Sequence, residues 1–174
     1  MGRAASEYLN WINSAGGPLV LLQESLLPHW SGDDDSDYDR ACRIDDYLGL
    51  IGVGPGEALV LGEEPFRTCW LQLPEMSGGT IVRWVFAPSE AAVLRSLSEV
   101  QGIVWSETNL VLNITTKLLL FDAVCPGSDP DCLGTGCLIV INLEPGEYSI
   151  ETARFQPDKE TSLILHRMRP MAVE

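Results

Sequence analysis

Asp33, Asp34, Asp35, Asp37, Asp39, Asp45 and Asp46 put seven aspartates into fourteen positions. Carboxylates this dense could hold a divalent cation, serve as general acid and base, or present negative charge to a basic partner. A calcium loop opening at Asp33 fails where its geometry is least forgiving. Tyr38 stands at the sixth position, where glycine makes the turn, and Ile44 at the twelfth, where a bidentate glutamate belongs. A small metal-assisted hydrolase using the Asp33 to Asp46 carboxylates is the enzyme alternative, and it would need further ligands converging from elsewhere in the chain.

Other chemistry is thinner. Gly52, Gly54 and Gly56 in "GVGPGE" imitate a dinucleotide fingerprint, but "EALVLG" after them reads as a strand and not as the helix start a pyrophosphate needs. The two histidines, His29 and His166, stand in no hydrolase or zinc-protease motif. Cys125, Cys132 and Cys137 in "CPGSDPDCLGTGC" lack the close pairs and fourth ligand of structural zinc, so a redox-labile surface loop is expected there. No metal and no cofactor is expected. Trp30 sits beside the aspartates among loop-forming residues, and an aromatic beside charge fits either core filling or an interface anchor. Trp30, Asp33, Asp34, Asp35, Asp37, Tyr38 and Asp39 therefore form the candidate partner-binding set.

The chain of 174 residues is 45% hydrophobic and 21% charged, which fits one domain spanning residues 1–174. Its 25 acidic residues against 11 basic ones give a formal net charge of −14, and that charge repels nucleic acid and anionic lipid alike. No apolar run reaches the ~18 residues of a membrane span, and "PLVLLQESLL" lacks the basic flank of a signal peptide. Five irregularly spaced cysteines without an export signal suit a cytoplasmic location, with Cys42 and Cys69 expected as small core residues.

The elements that must carry the aspartates follow from periodicity. "GGPLVLLQ" reads as a strand. Ser36 as N-cap with Asp39 three residues on predicts a helix from about Asp37 to Leu48, stopped by Gly49, with Asp45 on its apolar face. "LIGVGPGEALVLG" reads as two strands about a turn with Pro55 at i+1 and Gly56 at i+2. "TIVRWVF" is a strand, and "PSEAAVLRSLSEVQG" is a helix with Val93, Leu94, Leu97 and Val100 on one stripe and Gly102 as its stop. "NLVLNIT", "KLLLFDAV", "CLIVINL", "YSIETARF" and "TSLILHRM" are further strands, with a turn signal at Glu144–Glu147. Strands joined by short turns pair antiparallel, so the expected class is α+β: a mainly antiparallel sheet with one or two helices packed on it.

Taken together, "WINSAGGPLVLLQESLLPHWSG", "DYDRAC", "DYLGLIGVGPGEALVLGEEP", "RWVFAPSEAAV" and "ETSLILHR" resemble the immunity protein 21 family of bacterial polymorphic toxin systems, in consistent order from about Trp11 to Arg167. The resemblance implies a cytoplasmic α+β protein, encoded beside a toxin, that protects its own cell by binding that toxin without catalysis. It carries over no catalytic or toxin-contacting residue. The cysteine loop and the length of the Asp33 to Asp35 run lie outside the matched segments. A toxin that acts on nucleic acid has a basic cleft, and the aspartates would fill such a cleft in place of phosphates.

Overall fold

The computed structural model describes residues 9–62, 64–65, 67–72, 78–98 and 102–172. The strands are β1 (Trp11–Asn13), β2 (Leu19–Gln23), β3 (Leu48–Val53), β4 (Gly56–Leu61), β5 (Arg67–Leu71), β6 (Gly79–Phe86), β7 (Ser106–Ile114), β8 (Leu118–Asp122), β9 (Leu138–Ile141), β10 (Gly146–Phe155) and β11 (Ser162–Pro170). Helix α1 (Asp37–Ala41) precedes β3, and α2 (Glu90–Ser98) lies between β6 and β7. The strands form two antiparallel sheets, ordered β1-β5-β6-β11-β10-β7 and β3-β4-β2-β8-β9. The class is α+β, as the sequence predicts.

The continuous apolar runs have a simple cause: several strands are buried on both faces. Leu19 and Leu21 of β2 and Leu118 and Leu120 of β8 face the second sheet, where they meet Ile81, Ile114, Ile150 and Met168. Val20, Leu22, Leu119 and Phe121, one residue out of phase, face away from it. They are covered by the segment holding Leu26, Trp30 and Ala41. The six-stranded sheet is covered on its own outer face by α2, whose Val93 and Leu97 pack on Cys69, Val82, Leu163 and Leu165. A single covered sheet thus becomes two sheets with both outer faces clad.

Several local expectations change. The helix expected to run to Leu48 stops at Ala41, because Arg43 and Ile44 donate their amides three residues back, to Arg40 and Ala41, tightening the turn. The chain then enters β3, whose six-residue ladder with β4 outweighs the weak helical preference of Asp45 and Asp46. Asp45 is consequently exposed, and so is Cys42, whereas Cys69 is buried. The β3–β4 hairpin turns at Gly54 and Pro55, so glycine with φ +53° is at i+1 and proline at i+2. A positive φ at only the first central residue suits the twist of a two-residue hairpin. The Glu144–Glu147 segment connects β9 to β10, which belong to different sheets, so it is a crossover and not a hairpin. In the stripe of α2, Leu94 is 36% exposed, and Val100 lies outside the described residues. Strands β1 and β5 have no counterpart among the expected elements.

Candidate interaction site

The aspartate-rich segment is mounted on the outer face of the five-stranded sheet by groups that are themselves buried. Trp30 is 2% exposed, packs edge-on to Phe121, and donates its Nε1–H to the Ala123 carbonyl at 3.2 Å. This corrects its reading as an interface anchor: the indole fills the core and satisfies its one donor there. Gly32, at φ +56°, lies so close to Val124, Cys125 and Pro126 that a Cβ would come within 2.5–2.7 Å of backbone atoms. Asp33 donates its amide to the Val124 carbonyl, and Gly127 donates to that of Trp30.

Asp37 also moves from the candidate surface to the mount. It is 7% exposed. One carboxylate oxygen accepts the Ser31 amide at 2.9 Å, and the other pairs with Arg40 at 2.9 Å. Arg40 in turn donates to the Gly52 carbonyl at 2.7 Å, tying α1 to β3. Ser36 makes no side-chain cap, so the expected Ser36/Asp39 capping box is replaced by the reach of Asp37 back to Ser31. Tyr38 is half-buried, its ring lying against Gly17. Asp33, Asp34, Asp35 and Asp39 are left exposed. The mount holds their backbone while their carboxylates face solvent.

The facing segment contains the cysteines. Cys125 and Cys132 form a disulfide with a Cα–Cα distance of 5.6 Å, while Cys137 is free and exposed. The pair lies in the loop that the sequence reading expects to be redox-labile. Cys125 is buried at the edge of the Trp30 cluster, so the bond closes a short loop against which the aspartate turn rests. Among the described residues, no three histidine, cysteine, aspartate or glutamate side chains are placed to hold one metal ion. The metal-assisted hydrolase reading has no donor set there.

A second acidic feature joins Asp45 and Asp46 of the same run to Glu64, a meeting that the sequence reading does not foresee. Asp45, Asp46 and Glu64 line a cleft of about 470 Å³ together with Tyr47. Tyr47 and Glu64 also line a neighbouring cleft of about 550 Å³, which contains Arg67, Trp84 and Arg154. Gly62 lines the first cleft and Pro65 the second, both on the crossover from β4 to β5. Arg83, 0% exposed, clamps it by donating from Nη2 to the carbonyls of Gly62 at 2.7 Å and Pro65 at 2.6 Å. Burial pushes the Arg83 guanidinium down to about 10, partly offset by Tyr47. The signal was legible in "DDYLG": an aromatic beside charge, the same pattern that misassigned Trp30.

None of the described helices is long and apolar enough to cross a membrane. The family model of immunity protein 21 matches residues 10–161 of this chain. Neither the curated proteins nor the solved structures contain a match.

Proposed function

This chain belongs to the immunity protein 21 family, and from that membership we propose that it acts in the cytoplasm as one non-enzymatic domain, binding and neutralising a cognate toxin without a cofactor. The toxin has a basic cleft of the kind that handles nucleic acid, and Asp33, Asp34, Asp35 and Asp39 occupy it. The carrying observation is the contrast within one segment. Trp30, Gly32 and Asp37 are fixed by packing and hydrogen bonds, and the four remaining carboxylates are exposed. Among the described residues, none of those four carboxylates stands in an ion pair. Electrostatic complementarity raises association rates from ~10⁵–10⁶ M⁻¹s⁻¹ toward ~10⁸ M⁻¹s⁻¹ at low salt.

Replacing Asp33, Asp34, Asp35 and Asp39 by asparagine tests this reading. Stopped-flow association with the neighbouring-gene toxin domain, at two ionic strengths, is expected to slow at least about tenfold and to lose most of its salt dependence, with the melting temperature not lowered. An association rate equal to that of the unaltered protein would move the contact elsewhere on the molecule.

A further inference from the structure

We propose that the paired clefts on either side of Tyr47 are a docking surface for a toxin loop, with a lysine or arginine of that loop seated against the Tyr47 ring among Asp45, Asp46 and Glu64. The proposal rests on the toxin-binding reading above and deepens it by naming a contact and its chemistry. Tyr47 is 46% exposed, the largest such fraction among the exposed aromatic side chains in the described residues. It belongs to both clefts, and so does Glu64. Among the described residues, Asp45, Asp46 and Glu64 stand in no ion pair. The titratable carboxylates of the smaller cleft thus present uncompensated negative charge beside an aromatic face, which attracts a cation by its quadrupole as well.

The larger cleft contains basic side chains as well, Arg67 and Arg154. Arg67 stacks over the rings of Trp11 and Trp84, at 4.9 and 4.4 Å, and pairs with Glu90 at 3.5 Å, while Arg154 is exposed and, among the described residues, in no ion pair. A partner loop must therefore offer positive charge on one side of Tyr47 and negative or apolar groups on the other. That sequence of signs fixes orientation as well as attraction, which is how charge contributes to specificity. Aromatic and arginine side chains at the centre of a patch are also the ones that dominate binding energy. The floor is held in advance, because Arg83 clamps the crossover bearing Glu64 through the carbonyls of Gly62 and Pro65.

Calorimetric titration of the neighbouring-gene toxin domain into Tyr47→Ala, Tyr47→Phe, the double variant Asp45→Asn/Glu64→Gln, and the quadruple asparagine variant separates the possibilities. Tyr47→Ala and the double variant are expected to raise Kd at least about tenfold, and Tyr47→Phe, which keeps the ring, to bind nearly as the unaltered protein does. Circular dichroism melting shows whether Tyr47→Ala folds. Should it not, a normal Kd for the double variant overturns the proposal by itself. Normal binding by both Tyr47→Ala and the double variant, with loss confined to the quadruple variant, overturns this surface and leaves the toxin-binding reading standing. No binding by the unaltered protein overturns both.

Discussion

Single residues decide what the acidic segment can do. Seven aspartates look equivalent in sequence, yet one, Asp37, is committed to Ser31 and Arg40 while Asp33, Asp34 and Asp35 face solvent. The difference lies in a long-range event, the packing of Trp30 and Gly32 on residues 123–126, which no local spacing encodes. His166 shows the same thing more sharply. On β11 it is 0% exposed, its Nδ1 is 3.0 Å from the Thr152 hydroxyl, and burial, with Arg83 as a second cause, pushes its pKa down to about 3. The folded protein therefore binds fewer protons than the unfolded chain between that value and the ordinary 6.5. Stability from a neutral His166 is fully present above pH 6.5 and is lost as pH falls below it. The expected loss is about 2 kcal/mol between pH 6.5 and pH 5, from ~1.4 kcal/mol per pH unit. Urea unfolding of the unaltered protein and of His166→Gln at several pH values checks it, and parallel pH profiles would show that His166 is not the titrating group.

At the scale of elements, periodicity found what repeats and missed what is short or overruled. The alternating and continuous apolar runs became β2 to β4 and β6 to β11, because strands buried on one or two faces write that pattern directly into sequence. The three residues of β1 are too few to show a period. Helix α1 was overextended because the pairing of β3 with β4 is decided by residues elsewhere in the chain. Helix α2 was legible, and its stripe makes a quantitative prediction. Leu97 is 6% exposed and packs on the six-stranded sheet, whereas Leu94 is 36% exposed. Leu97→Ala is expected to destabilise by ~2–5 kcal/mol and Leu94→Ala by less than about 1 kcal/mol, read from denaturant midpoints at constant slope. Equal losses would mean that α2 is seated on the sheet by a different face.

For the whole molecule, a formal net charge of −14 acts on stability and on binding with opposite signs. Five ion pairs involve Arg40, Arg67, Lys117, Arg167 and Arg169 among the described residues, so most of the 25 acidic side chains are uncompensated. Like charges destabilise the compact state by self-repulsion. Raising ionic strength from 0.01 to 0.15 M shortens the screening length from about 30 to about 8 Å, which weakens repulsion between exposed carboxylates. The melting temperature is therefore expected to rise with salt over this range. In the variant with Asp33, Asp34, Asp35 and Asp39 replaced by asparagine, four of the repelling charges are gone, and the rise should be smaller. Association with a basic toxin surface must respond the other way, slowing as salt screens the attraction. Thermal scans and stopped-flow traces on the same two proteins at the same two salt concentrations test the pair together. A melting temperature that falls with added salt would mean that the ion pairs outweigh the repulsion, and the acidic surface would then carry no cost in folding for binding to offset.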